Sequence, residues 1–298
     1  MEKAGFIGLG IMGRPMVKQL LAAGCEILAY DIDAAALSDV VAHGAAPSTP
    51  GEIGRSCENI FTMLPDGDVV KRVLFGEGGV SAGIRRGSVV ADMSSVTPAE
   101  SIYCARELEK LGVFFLDAPV SGGEPKAIDG TLAFMVGGEQ EVFDRVSPYF
   151  EIMGASALLV GGSGSGSMTK LANQIIVNMN IAALSEAFVL AAKAGLDLGR
   201  VYESIRGGAA GSAVLDAKAP MMIARNFKPG GKISINHKDI KNVMAAARDL
   251  DVPLPLTAQL FEIMQYLKTH GHMDDDHSGI VQYFEMLSGI KVGGTGDE

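Results

Sequence analysis

Residues 4–31 read AGFIGLGIMGRPMVKQLLAAGCEILAYD. The segment opens on a short apolar run with the pattern of a buried strand. Gly8-Leu9-Gly10-Ile11-Met12-Gly13 follows, and Arg14 to Ala23 then keeps helical spacing up to Gly24. A second apolar run, Glu26 to Tyr30, ends at Asp31. Strand, glycine turn, helix, strand and acid in this order form a dinucleotide-binding unit. The first glycine allows the tight turn, the second lets the backbone approach a pyrophosphate, and the third lets helix and strand pack closely. The helix N-terminus faces the phosphates. A glycine turn that binds nothing is the alternative. Asp31 argues against it, because it stands 18 residues beyond Gly13, where a carboxylate accepts from adenine-ribose hydroxyls. Ile32 follows it. A carboxylate repels a 2′-phosphate and no adjacent guanidinium holds one, so NAD is the expected cofactor, with NADP possible.

The alternation continues. Helical spacing covers Asp33 to His43, with Gly44 past its end. Apolar runs at Ile60 to Leu64, Ser88 to Asp92 and Phe114 to Asp117 are separated by helical stretches at Asp68 to Leu74 and Pro98 to Leu111. Thr131 to Val136 and Ala157 to Val160 read as strands around a helix from Glu139 to Phe150. This pattern predicts an α/β domain over residues 1–162, with a mostly parallel sheet covered on both faces. Ligands of such sheets bind beyond the carboxyl ends of the strands. Those ends are Met63-Leu64-Pro65, Ser94-Ser95 and Ala118-Pro119-Val120-Ser121. The Ser121 hydroxyl and the amides of Gly122 and Gly123 suit a small anion, with an ordinary turn as the equal alternative.

Residues 161–174, GGSGSGSMTKLANQ, begin like a linker and end like a helix. Residues 163–298 are predicted to form an all-α domain, opened by a long helix that Ser167 or Thr169 caps and that reaches about Ala194. Lys170, Asn173 and Gln174 stand at i, i+3 and i+4, so three polar groups share one face near its start. Ile175 to Ala194 is long and apolar enough for a bilayer. It also carries Asn178, Asn180, Ser185, Glu186 and Lys193, so a buried helix is expected and no membrane partner. His237-Lys238-Asp239 offers a lysine and an aspartate either to the site or to a surface ion pair. The run His270 to His277 is rich in His and Asp but lacks i, i+4 histidines and the EF-hand glycine. No metal is expected there. A solvated loop fits better, with Asp276 capping the next helix. Gly293 to Glu298 read as a frayed end.

The net charge of −10 over 298 residues, with Lys and Arg scattered, argues against nucleic acid as a partner. Cys25, Cys57 and Cys104 are too few and too far apart for a disulfide framework. The opening MEKAGFIGLG lacks a signal-peptide layout, so a cytoplasmic protein is expected.

Six segments now stand together: GFIGLGIMGRPM (5–16), TMLPDGDVV (62–70), DMSSVTP (92–98), DAPVSGGEPKAIDGTL (117–132), TKLANQ (169–174) and HKD (237–239). In this order, across nearly the whole chain, they resemble the β-hydroxyacid dehydrogenase family. The resemblance implies a Rossmann-type NAD(P)-binding domain followed by a helical substrate and oligomerisation domain, and hence a homodimer or homotetramer. It implies an oxidoreductase acting on a small hydroxyacid or semialdehyde. Lys170 is then the catalytic residue, and Ser121, Gly122, Gly123 and Asn173 contact the substrate, with Gln174 beside them. Cofactor contacts are implied at Gly8, Gly10, Ile11, Met12, Gly13, Asp31, Leu64, Ser95 and Lys238.

Within the family, GGEPKAIDGTL (122–132), IRGGAAGS (205–212) and LDAKAPMMIARNFKPG (215–230) are most similar to members that reduce tartronate semialdehyde (2-hydroxy-3-oxopropionate) to D-glycerate. The tail SGIKV (288–292) is more similar to members acting on 2-(hydroxymethyl)glutarate. 3-Hydroxyisobutyrate is a further alternative substrate. A non-catalytic NAD-binding regulator would lack the lysine or the substrate loop, and both are present.

Overall fold

The computed structural model describes residues 3–294. The chain divides into two compact units, Met1–Lys170 and Leu171–Glu298. The first begins with β1 (Ala4–Ile7), α1 (Gly13–Ala22), β2 (Ile27–Tyr30), α2 (Ala34–Ala42) and a short β3 (Ala46–Pro47). There follow α3 (Pro50–Ser56), β4 (Asn59–Thr62), α4 (Gly67–Phe75), β5 (Val89–Asp92), α5 (Pro98–Glu109) and β6 (Phe114–Asp117). It closes with β7 (Val120–Ser121), α6 (Gly123–Ile128), β8 (Leu132–Gly137), α7 (Gln140–Met153) and β9 (Gly154–Gly161). The sheet runs β3-β2-β1-β4-β5-β6, all parallel, and continues into β8 with β7 and β9 beside it. β6 and β7 pair antiparallel with β8, whereas β9 is parallel to it. This is the Rossmann order, and the winding reverses between β1 and β4.

The strands are short apolar runs because both faces are covered. β1, β4 and β5 are buried at every position. Side chains alternate between the faces. Phe6 and Phe61 join Met16, Leu20 and Phe150 in one core, while their neighbours Ile7 and Ile60 join Ile53, Val70 and Leu108 in another. Helix starts follow local capping chemistry. Asp33 and Asp66 accept from Ala35 and Val69 N–H, and Thr97 forms a capping box with Glu100.

α8 (Ser165–Lys193) leads from the first unit into the second. The second holds α9 (Leu198–Ile205), α10 (Ala213–Ile223), α11 (Ile233–Asp249), α12 (Pro255–Thr269) and α13 (Val281–Ser288) around Ile181, Phe188, Met222, Ile240 and Met264. Among the described residues, α8 alone is long and apolar enough to cross a membrane, by length and composition. One face of it belongs to the second unit's core through Ile181, Leu184 and Phe188. Its buried Asn178 and Ser185 donate to the Gln174 and Ile181 carbonyls.

Three sequence expectations are corrected. Neither Ser167 nor Thr169 caps α8 with its side chain. The helix starts at Ser165, and the Thr169 hydroxyl donates back to the Ser165 carbonyl. The 270–277 run is not simply a solvated loop. Asp276 does start the next helical turn, by accepting from Ser278 N–H, but it is fully buried. It also accepts from Gly230 and Gly231 N–H and pairs with Lys218 at 2.9 Å. Gly293 and Gly294 are pinned, because Gly294 N–H donates to the Ile223 carbonyl beside buried Val292. The frayed end expected at 295–298 lies outside the described residues.

Candidate active site

The glycine loop leaves β1 where the winding reverses. Gly8 has φ +100°, and a Cβ there would stand 2.2 Å from the Met63 carbonyl oxygen. A Cβ on Gly13 would stand 1.9 Å from the Gly8 carbonyl oxygen. At Gly10 a Cβ would meet nothing within 4 Å. Packing therefore requires glycine at 8 and 13. At 10 the space is open, as the close approach of a pyrophosphate needs. Met12 at the start of α1 provides no side-chain cap, so the first amides of that helix suit an anion. Ile11, between them, is 40% exposed. Asp31 is fixed against this loop, with Oδ2 accepting Leu9 N–H at 2.5 Å and Oδ1 accepting Asp33 N–H at 2.8 Å. The residues thus fit a dinucleotide. Ile32 is 92% exposed, and Arg14 and Lys18 are drawn to Asp39.

Beyond the next strands lie two acids that the sequence reading did not place in the site. Thr62, Asp92 and Asp117 end β4, β5 and β6 in register. Both acids are almost fully buried. Asp92 Oδ1 accepts from Thr62 Oγ1 at 2.7 Å, Ser94 N at 3.2 Å and Ser94 Oγ at 2.5 Å. Ser94 Oγ in turn accepts Leu64 N–H at 2.8 Å, which joins the two segments that carry Leu64 and Ser95. Burial pushes the Asp92 carboxyl up to about 6, against the pull of the Ser94 and Thr62 hydrogen bonds. Asp117 accepts Gly164 N–H and Ser167 N–H, each at 2.7 Å, on its two oxygens. Burial raises its carboxyl too, opposed by those amides. The available signal was an acid closing an apolar strand, as in VVAD and FFLD. From Asp117 the chain runs to Ser121, half-buried opposite Ala133 of β8, and turns through exposed Gly122 and Gly123 at φ +137° and +69°.

Lys170 lies in the second turn of α8 and is 9% exposed. In the second unit, Asn173 Nδ2 donates to Gln174 Oε1 at 3.0 Å, and Gln174 Nε2 donates to Asp239 Oδ2 at 2.5 Å. Gln174 is thus a brace for Asn173. Asp239 is buried and pairs with Lys238 at 3.1 Å, so the Lys238–Asp239 pair is not the surface pair the sequence left open. The structure therefore joins Gly8, Leu64 and Asp31 around the glycine loop of the first unit. It joins Asn173, Gln174 and Lys238 through Asp239 in the second.

A family model for the NAD-binding domain of 6-phosphogluconate dehydrogenase matches residues 3–162. One for the NAD-binding region of NADP-dependent 3-hydroxyisobutyrate dehydrogenase matches residues 164–284. The chain is 43% identical to 2-hydroxy-3-oxopropionate reductase of Escherichia coli, covering 97% of this chain and 99% of that one. It is 35% identical to 2-(hydroxymethyl)glutarate dehydrogenase of Eubacterium barkeri, covering 98% of each. A solved structure of Mycobacterium tuberculosis 3-hydroxyisobutyrate dehydrogenase superposes with a TM-score of 0.88 at 31% identity, over 95% of this chain and 99% of that one. With the glycine loop, Asp31 and the Rossmann strand order already in place, these likenesses establish that the chain belongs to the β-hydroxyacid dehydrogenases, a family of NAD(P)-dependent enzymes.

Proposed function

We propose that this dehydrogenase reduces tartronate semialdehyde (2-hydroxy-3-oxopropionate) to D-glycerate with NADH, and that Lys170 is the general acid. The observation that carries the catalytic assignment is the placement of Lys170. It is nearly buried, one turn beyond a helix start that is bonded to the strand leading into Ser121-Gly122-Gly123. The substrate assignment is supported by the 43% identity to the Escherichia coli reductase.

Gly8, Gly10, Ile11, Met12, Gly13 and Asp31 would hold the reduced dinucleotide, and the chemistry it would supply when bound is a hydride for the aldehyde carbon. The carbonyl oxygen becomes an alkoxide as hydride arrives, and the Lys170 ammonium gives it a proton. The Ser121 hydroxyl and the Gly122 and Gly123 amides hold the substrate carboxylate, which fixes the carbonyl for attack. Asn173, braced by Gln174, is a further substrate contact, and Leu64, Ser95 and Lys238 contact the cofactor. The Asp31 carboxylate with exposed Ile32 favours NAD over NADP. The reading includes a cytoplasmic homodimer or homotetramer, and α8 leaves Ile176 and Leu190 exposed for such an assembly.

The test is oxidation of NADH and NADPH with tartronate semialdehyde and methylmalonate semialdehyde, and NAD reduction with D-glycerate, 3-hydroxyisobutyrate and 2-(hydroxymethyl)glutarate. The highest kcat/KM is expected for tartronate semialdehyde with NADH. Lys170→Ala is expected to lose about 100- to 10,000-fold in kcat. Near-normal turnover by Lys170→Ala, with NADH binding unchanged, would remove the lysine from this role. The tail SGIKV and the Eubacterium barkeri relative favour a second reading, and preference for 2-(hydroxymethyl)glutarate would establish it.

A further inference from the structure

An ordinary helix cap is local, and the residue before Ser165 is Gly164, which has no side chain to cap with. Ser165 N–H bonds locally to the Gly162 carbonyl, but two other amides at the helix start are held from elsewhere. Asp117 Oδ1 takes Gly164 N–H and Oδ2 takes Ser167 N–H, across 47 and 50 residues of sequence. A local cap would satisfy the helix end equally well. A distant one also fixes where the start of the helix stands against the sheet.

The surroundings are shaped for this contact. A Cβ on Gly137 would come within 2.6 Å of Asp117 Oδ1 and 2.7 Å of Gly166 N. A Cβ on Gly166 would come within 2.3 Å of the Asp117 carbonyl oxygen and 2.4 Å of that of Met135. Two glycines thus let the helix start settle onto the ends of β6 and β8. Ser167 Oγ meets Ser101 Oγ of α5 at 2.8 Å. Lys170 follows Ser167 by three residues, and Ser121 follows Asp117 by four.

We infer that Asp117 is a positioning residue: one buried carboxylate sets the distance between Lys170 on α8 and the Ser121-Gly122-Gly123 loop beyond β6. The inference rests on the proposed role of Lys170. Displacing a reacting group by about 1 Å lowers turnover on the order of 100-fold. Asp117→Asn keeps the shape of the side chain but has one acceptor oxygen for two N–H donors, so one amide of the helix start loses its bond.

The test is a double-mutant cycle of Asp117→Asn and Lys170→Ala in the full chain, using the substrate of the panel that wild type turns over fastest. Each variant is also checked for NADH affinity by fluorescence and for folding by circular dichroism. Asp117→Asn is expected to lose about 10- to 100-fold in kcat with little change in NADH affinity. The double variant is expected to be no slower than Lys170→Ala, because a group that acts through Lys170 has nothing left to position. Unchanged kcat in Asp117→Asn overturns the inference. So do losses that multiply in the double variant, since a merely structural role would act independently. If Lys170→Ala retains turnover, the functional reading falls and this inference with it. If only the lysine matters, this inference falls alone. Should Asp117→Asn not fold, Gly166→Ala decides by the same cycle, because its Cβ would stand 2.3 Å from the Asp117 carbonyl oxygen and displace the helix start. A several-fold loss in the wild-type background and none in Lys170→Ala supports positioning, and equal losses or no loss overturn it.

Discussion

Gly10, in the loop after β1, and Gly13, the first residue of α1, stand three residues apart and are glycine for opposite reasons. Sequence spacing marks both alike. Only the folded backbone separates the one that packs against the Gly8 carbonyl from the one that faces open space. Gly13→Ala forces a Cβ onto backbone and is expected to destabilise the protein by about 1–3 kcal/mol. Gly10→Ala has room and is expected to melt like wild type. Its methyl group enters the space a pyrophosphate occupies, so NADH binding should weaken at least about tenfold, or about 1.4 kcal/mol. Thermal melts alongside NADH fluorescence titrations check both. A Gly10→Ala variant that binds NADH normally would show that the cofactor backbone does not approach residue 10. Asp31 was legible because its place follows from spacing. Asp92 was not, since nothing in VVAD shows that Thr62 and Ser94 converge on its carboxylate.

Helix starts show the same division between local and distant chemistry. Asp197 and Ser212 cap α9 and α10 within their own segments, and both starts can be read from the sequence. The start of α8 misleads for the same reason. Ser167 and Thr169 are good capping residues, but the acceptor comes from Asp117 on β6. The Thr169 hydroxyl bonds back to the Ser165 carbonyl, an arrangement that adds little to a helix. Thr169→Ala should therefore change stability by less than about 0.5 kcal/mol. Ser212→Ala removes an acceptor for Leu215 N–H and should cost about 1 kcal/mol. Urea denaturation of the two variants distinguishes them, and equal losses would restore Thr169 as a cap. The elements absent from the sequence reading are short. β3 and β7 have two residues each, and α3 and α6 have seven and six, so none is long enough to repeat its apolar spacing.

At the scale of the molecule, five of the six parallel strands are legible because each apolar run is punctuated by glycine or proline and separated by a helical crossover. How each unit holds charge inside is not legible, and it governs the response to acid. In the first unit, burial raises the carboxyls of Asp92 and Asp117. Such a group binds its proton more tightly folded than unfolded, so its contribution to stability is greatest in acid and falls as pH rises. For Asp92 the window runs from the ordinary 3.8 to about 6. The associated change is about 3 kcal/mol, at 1.36 kcal/mol per pH unit. In the second unit, burial pushes Asp276 upward, but His277, the Lys218 ammonium and the Ser278 N–H outweigh it and hold the carboxyl low. Its contribution is present above about pH 4 and is lost only as pH falls further. Moving from pH 7 to about 4.5 should therefore strengthen the first unit through Asp92 while the Asp276 contribution stays intact. Asp92→Asn keeps an acceptor for Thr62 and Ser94 but cannot titrate, so it removes this gain without opening a cavity. Calorimetric scans of wild type and Asp92→Asn at pH 7, 5.5 and 4.5 measure the difference directly. Wild type is expected to gain relative to the variant as pH falls through 6. Parallel curves would mean that the buried carboxylate carries its charge at no cost to folding.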